Sequence, residues 1–415
     1  MRPDWLQSIP SSWGSAPFGS IFTQSKKKNY RLQRDFVLSV IKDRGVIPYT
    51  EKGNVGNKVS DDLSGYKLVD RGDFVLNSMN LYMGSVGVSE YEGVTSTAYI
   101  VCKPSGDVFA GYYNYLIQFK GFQEYVGLLG KGIMEIREAV RWTALKSVFV
   151  PLPDLPTQRA IADFLDRETA RIDLLIQKKQ RLVALLGEKR SATITAAVTG
   201  KIEVEGVRIR DCRLAEGGGG IMARLKHLTR LQYGSALAAD SREEGEWNVY
   251  GSNGVVGTHS SRNTLEPAIM VGRKGSAGKV AWAEKGGFCI DTAYFVDDRH
   301  CFGDLRFSYY VLVHLKLDHH SKDSAVPGLD RNDAQNLEID IPDLPTQRAI
   351  ADFLDHETTR LQQIQETTQQ SIDRLKEYRS ALITAAVTGQ IDVVKWGKSG
   401  VNERQLNSLQ AEMEH

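Results

Sequence analysis

The chain has 415 residues, enough for two to four domains that each bury a core, and its 41% hydrophobic and 25% charged content is ordinary for a soluble globular protein. No apolar run approaches the roughly 20 residues that span a bilayer. The N-terminus MRPDWLQSIP lacks the apolar stretch of a secretory signal. The four cysteines (Cys102, Cys212, Cys289, Cys301) show no C-x-x-C spacing. That pattern argues against structural zinc or a disulfide framework and places the expected home in a reducing cytoplasm.

Net charge is only +1, so no global basic field points to nucleic acid. Residues 1–150 carry 18 basic and 14 acidic groups, and residues 203–341 carry 17 and 20. Any DNA contact must therefore come from local patches or from a partner subunit.

Residues 1–150 form a first variable unit. Lys26, Lys27, Lys28, Asn29, Tyr30 and Arg31 make a dense basic loop with an aromatic and an amide, suited to anchoring phosphates and touching a base; the plain alternative is a solvated charge run. GDFVLNS (Gly72–Ser78) reads as a strand, and Asn77, Ser78 and Asn80 behind it are either base readers or strand-end caps. A GSVG turn (Gly84–Gly87) follows, then a second strand in STAYIVC and a helical, aromatic-rich YYNYLIQF around Tyr113.

A 50-residue segment, 153–202, which with its flanking strand end makes the central repeat 151–202, then recurs 189 residues later in 342–391. PDLPTQRAIADFLD is unchanged between Pro153–Asp166 and Pro342–Asp355, and 31 of 50 aligned positions match. Each copy predicts a helix of about 43 residues, roughly 65 Å long at 1.5 Å per residue. Pro156 fits its first positions, Thr157 and Thr346 are the expected N-caps, and Gly200 and Gly389 are the stop signals. Apolar residues recur at steps of three and four, through Ile161, Leu165, Ile172, Leu175, Leu182 and Leu186. The second copy shows Ile350, Leu354, Leu361, Ile364, Ile372, Leu375 and Leu382. This is a coiled-coil seam, flawed at Glu168 and Lys179. Two such rods suit one intramolecular antiparallel pair, and the identity of their ends suggests equivalent docking points for two copies of a partner.

Residues 203–221, ending in Gly217–Gly220, read as a linker. The second variable unit, 222–341, repeats the plan of the first: PAIMVG (Pro267–Gly272), GSAG (Gly275–Gly278), DTAYFVD and FSYYVLVHL around Tyr309. Arg273, Lys274, Ser276 and Lys279 place three cations on an N–H-rich turn and are DNA-contact candidates. Tyr250, Ser252, Asn253, His259 and Arg262 form a weaker set. Residues 392–415 are a tail without an assigned role.

Enzymatic readings fare worse. VGRKGSAGKV has the wrong glycine spacing for a phosphate-binding loop, and Val280 stands where Ser or Thr would hold magnesium. Ser85 and Ser276 follow glycine, but Met83 and Lys274 stand where a nucleophile elbow needs glycine, so both read as turn serines. His314, His319, His320 and Asp318 could hold a metal but read more simply as a solvated helix end. No glycine-rich methyl-donor loop, methyltransferase tetrad or nuclease cluster stands out.

The openings PLPDLPTQRAIADFLDRET and IPDLPTQRAIADFLDHET, the SA-x-I-TAAVTG closings, VGRKGSAGKV, NVYGSNGVVG (Asn248–Gly257) and VLSVIKDRGVIP (Val37–Pro48) resemble the specificity subunits of type I restriction–modification systems, over roughly Trp5 to Ile391. The resemblance implies an α+β chain: two similar mixed α/β target recognition domains separated by two long helices forming an antiparallel coiled coil, a pseudo-two-fold tandem duplication. It further implies a non-catalytic subunit reading a bipartite, asymmetric site in double-stranded DNA, one domain per half-site. The helices would act as spacer and dock two methyltransferase subunits, with restriction subunits joining the full complex. No cofactor would sit on this chain, since methyl donor, ATP and magnesium would belong to those partners. The competing reading from the residues is a two-domain adaptor with a coiled-coil stalk that binds protein or RNA.

Overall fold

The computed structural model describes residues 3–42, 44–53, 58–129, 139–202, 221–320 and 328–393. The chain divides into two compact units, one of Met1–Lys179 with Gln370–His415 and the other of Gln180–Gln369. The expected linker 203–221 and tail 392–415 lie, apart from Ile221, Asp392 and Val393, outside the described residues.

The first unit opens with β1 (Gly14–Pro17), the single turn α1 (Phe18–Ile21) and β2 (Phe22–Gln24). A hairpin of β3 (Leu38–Ile41) and β4 (Gly45–Pro48) precedes β5 (Lys67–Val69), β6 (Phe74–Asn77), β7 (Val86–Val88), β8 (Gly93–Thr95) and β9 (Tyr99–Pro104). Helices α2 (Ala110–Gln118), α3 (Lys120–Leu129) and α4 (Trp142–Leu145) lead to β10 (Phe149–Leu152) and the long helix α5 (Leu155–Val198). The main sheet is antiparallel in the order β2-β9-β6-β7. Phe-Val-Leu-Asn of β6 is buried at all four positions, as a central strand covered on both faces requires. On one side, Tyr112, Tyr113 and Leu116 of α2 pack with Phe18, Phe22 and Phe74, the last two rings stacked at 5.0 Å.

The second unit repeats this plan with β11 (Ile221–Arg224), β12 (Gln232–Tyr233), β13 (Trp247–Gly251), β14 (Gly254–His259), β15 (Ala268–Gly272), β16 (Val280–Ala283), β17 (Phe288–Cys289) and β18 (Ala293–Val296). Then come α6 (Leu305–His314), α7 (Arg331–Gln335), β19 (Glu338–Ile341) and the second long helix, α8 (Leu344–Val387). Its main sheet runs β12-β18-β15-β16, strand for strand the order of the first. The strands and helices expected from the GS-x-G, TAY and aromatic-rich segments all form. In both units a short outer pair, β1 with β10 and β11 with β19, delivers the chain to its long helix.

Each unit contains the start of one long helix beside the end of the other, so the two run antiparallel. In the first unit Ile161, Leu165 and Ile172 share a core with Leu375, Leu382, Ala386 and Val387, and Arg379 grips Asp173 through Nε (2.9 Å) and Nη2 (3.2 Å). In the second, Ile194 and Ala197 share a core with Ile350 and Leu354. The seam departs from expectation at Leu182 and Ile364, which are 43% and 39% exposed. There the inward place is taken by Gln365, whose Nε2 donates to the Val183 carbonyl at 3.1 Å, beside Gly187 and near the buried Thr368. The amide adds a side-chain bond to a carbonyl already inside the helix ladder and fills the seam there with a polar contact.

The caps also differ from expectation. The helices begin one turn ahead of the threonines: Asp154 Oδ1 accepts from Thr157 N–H at 2.8 Å, and Asp343 Oδ1 from Thr346 N–H at 2.9 Å. Asp is the better N-cap because its charge also meets the positive end of the helix. Accepting from Thr157 and Thr346 holds both carboxyls below their ordinary range. The stop signals act as expected. At Gly200 (φ 63°) and Gly389 (φ 70°) the next residue's N–H closes on the carbonyl five residues back, Lys201 to Ala196 and Gln390 to Ala385.

These contacts explain much of the unchanged repeat. Gln158, fully buried, donates from Nε2 to the carbonyls of Pro153 (2.8 Å) and Asp107 (3.3 Å) and accepts from Phe109 N–H (2.8 Å). Gln347 likewise donates to Pro342 O and accepts from Asp304 N–H, both at 2.8 Å. Tyr115 donates to Asp166, and Tyr310 to Asp355, with Thr169 and Thr358 alongside. Each head is thus bolted to the first four turns or so of its helix by the same residue types. Pro156, Arg159 and Asp163, with Pro345, Arg348 and Asp352, remain exposed and identical.

Candidate nucleic-acid interface

In the first head the basic loop is held by its backbone and by one buried amide, Asn29. Asn29 N–H donates to Tyr66 O, and Leu68 N–H to Lys27 O, so residues 27–29 continue as a ladder against β5. Lys26, Lys27, Lys28, Tyr30 and Arg31 point into solvent, with Tyr30 70% exposed and Lys28 5.5 Å from its ring. Asn29 does the opposite. It is fully buried, and its amide donates to Arg34 O (2.7 Å) and accepts from Arg34 N–H (3.2 Å). The expectation of a contact residue there is corrected: the amide shapes the loop from inside. Behind the loop, Lys67 is half-buried and donates to the Tyr99 carbonyl; burial first, then Lys28, lowers its pKa. Asp70 gathers Lys103 (3.0 Å) and Arg34 (2.9 Å), with Lys27 at 3.9 Å, and the Lys103 bond holds its carboxyl low despite partial burial.

Beside the loop lies a concavity of about 430 Å³ between the β3–β4 hairpin and the turn after β6. Asn77, Asn80, Tyr99, Lys42, Lys52 and Lys58 are among its lining residues. Asn77 is nearly buried and accepts from Met79 N–H, and Ser78 is buried and donates to the Ala98 carbonyl. Both therefore build the turn, and Ser78 is corrected from reader to scaffold. Asn80 is exposed.

The second head brings the matching hairpin and turn together. Lys279 Nζ donates to Asn253 O (2.8 Å) and Oδ1 (2.9 Å), tying the tip of β13–β14 to the turn between β15 and β16. Arg273, Lys274 and Ser276 lie on that turn, with Ser252 half-buried next to it. Gly278 (φ 82°) allows the turn to sit against the Leu317–Asp318 backbone, which a Cβ would strike at 2.1 Å. One member of the weaker set is corrected. Tyr250 is a core ring, 8% exposed. His259 accepts Glu243 N–H at 3.2 Å and packs edge-on against Phe288. Arg262 pairs with Glu266 at 2.9 Å over the Trp247 ring. All three brace the hairpin.

Two residues escaped the sequence reading. Tyr233, 46% exposed at the end of β12, has the guanidinium carbons of Arg273 and Arg331 each 4.8 Å from its ring centroid. The 189-residue offset of the repeat, carried upstream, aligns Arg331 with Trp142, so a cation replaces an aromatic in otherwise matched helices. That exchange was the available signal. His314 binds Thr195 at 3.1 Å, and burial, then Lys316 and Lys201, lowers its pKa. The side chains of His319 and His320 lie outside the described residues, among which no metal-holding cluster of His, Cys, Asp and Glu occurs.

The family described as Type I restriction modification DNA specificity domain matches twice, over residues 10–184 and 224–374. The chain belongs to that family. Its structure is similar to a chain from a study of complex assembly and conformational transition of a type I R-M system (TM-score 0.67, 15% identity, covering 92% of this chain and 99% of that one). It is similar also to the HsdS subunit of Thermoanaerobacter tengcongensis (TM-score 0.51, 16% identity, 92% and 98%). At such identities the likeness is one of fold. A comparison with curated proteins by sequence gave no match.

Proposed function

We propose that this chain is the non-catalytic, cytoplasmic specificity subunit of a type I restriction–modification complex, reading a bipartite asymmetric DNA site with one head per half-site. The observation that carries the reading is the duplicated head: the same strand order presents the same hairpin and turn twice, with different side chains on each. One bidentate contact discriminates bases by about 1–3 kcal/mol, so a single small reader is weakly selective and two in series multiply their selectivity. The proposed contacts are Lys26, Lys27, Lys28, Tyr30, Arg31, Asn77 and Asn80 in the first head, and Ser252, Asn253, Arg273, Lys274, Ser276 and Lys279 in the second. The helix pair acts as spacer.

Exposed Arg159 and Asp163 match Arg348 and Asp352, four residues apart on each helix, and Arg159 is stacked on its own head, 5.1 Å from the Phe109 ring. They are the proposed docking points for two methyltransferase subunits. Methyl donor, ATP and magnesium then belong to those subunits and to the restriction subunits that complete the complex.

Co-expression with type I methyltransferase subunits followed by genome-wide mapping of methylated bases tests the reading. A split, asymmetric site with a fixed gap is expected; an unsplit site, or no methylation, overturns it. Arg159→Glu with Arg348→Glu should abolish methyltransferase capture while leaving DNA binding intact. Equal competition by RNA and duplex DNA in a gel shift would instead favour the adaptor.

A further inference from the structure

We infer that Tyr233, Arg273 and Arg331 form a phosphate clamp in the second head, gripping the duplex backbone whatever its sequence; the inference rests on the DNA-reading function proposed above. The geometry is specific to this corner of the fold. Tyr233 stands opposite Tyr294 in the β12–β18 register, and Arg273 holds station there by donating from Nη1 to the Asp291 carbonyl at 3.1 Å. Its guanidinium is 5.9 Å from the Tyr294 ring as well, and the Tyr294 hydroxyl is tied to Leu329 O at 2.9 Å. Leu329 N–H in turn donates to Arg273 O at 2.9 Å, which brings Arg331 to the same ring.

Neither guanidinium pairs with a carboxylate among the described residues, and Arg331 Nε is buried without a hydrogen-bond partner. The adjacent Asp330 carboxylate is spent on capping α7, accepting from Asn332 N–H and Asp333 N–H at 2.8 and 3.0 Å. Two cations gathered on one ring without a carboxylate partner keep their charge unneutralised, and a ring face offsets only part of that. Phosphates of a nucleic-acid backbone would supply the missing anion, and the planar forks suit them.

The first head explains why the clamp is needed. Counted along the β2–β9 register, the place of Tyr233 falls at Lys27, inside the basic loop. The segment after β12, Gly234–Ala239, carries no cation. Where one head has lysines on a loop, the other has an aromatic with two arginines delivered from the β15–β16 turn and from α7. Trp142, the counterpart of Arg331, packs instead against Phe18 at 6.0 Å.

Arg331→Ala and Tyr233→Ala in the full chain are tested by binding to a mixed-sequence duplex and to the mapped target across a salt series. Both variants should bind both DNAs about 3- to 10-fold more weakly, with the specificity ratio unchanged. Arg331→Ala should lower the salt slope by about 0.9, the loss of one phosphate. Arg331→Lys, which keeps the charge, should recover the slope. Unchanged affinity and slope, with wild-type binding intact, overturn the clamp alone; loss on the target but not on mixed DNA makes these base readers and also overturns it. A wild-type chain that binds neither duplex overturns the DNA reading itself.

Discussion

Gln158→Ala removes the buried amide that bolts the first head to α5. Three hydrogen bonds go with it: to Pro153 O, to Asp107 O and from Phe109 N–H. At about 1 kcal/mol net each, the loss is about 3 kcal/mol, with the stranded Phe109 N–H adding to it. Because the chain has two units, a global melt would blend their transitions, so local opening is the right readout. Amide hydrogen exchange should quicken about 100-fold at Phe109 and along the start of α2, and little in the second unit. Gln347→Ala removes two such bonds and should have the smaller effect, confined to Asp304 and the start of α6. Gln158→Glu keeps the acceptor but turns a carboxylate towards two carbonyls, so it should not rescue. Exchange within about threefold of wild type in Gln158→Ala would refute the bolt.

Other outcomes follow from the same contacts. Asp154→Ala should speed exchange in the first turn of α5 more than Thr157→Ala does; the reverse order would return the cap to the threonine. Gly200→Ala and Gly389→Ala should both destabilise, since both need φ near +65°, and at Gly389 the Cβ would also strike Pro10 at 2.6 Å. The strain common to both is about 1–2 kcal/mol, read by urea unfolding. Asp297 is fully buried; burial alone would raise its pKa, but bonds from Arg299, Leu265 N–H and His300 outweigh it and hold the carboxyl low. With the folded value below the unfolded one, its contribution is whole above about pH 5 and fades as pH falls through the folded value. Asp297→Asn should therefore differ most from wild type near pH 7 in hydrogen exchange of the second head and least near pH 3; a constant gap would contradict the sign.

The long helices, their ends and the duplication were legible because they depend on local rules: apolar spacing, an acceptor at the first turn, glycine at positive φ. Even so, the cap fell to Asp154 rather than Thr157, since only the folded first turn shows which oxygen reaches the free N–H. The site was less legible. Lysines 26–28 point outward as their composition suggests, while Asn29, Ser78 and Tyr250 read as polar contact residues and are buried in the scaffold. A side chain's type says what it can bond, not which backbone group arrives first. Tyr233, Arg273 and Arg331 lie up to 98 residues apart in sequence. The sequence by itself determined two heads and two rods. Only tertiary structure decided which polar groups were left over to meet a ligand, because that remainder depends on long-range pairing of strands and turns.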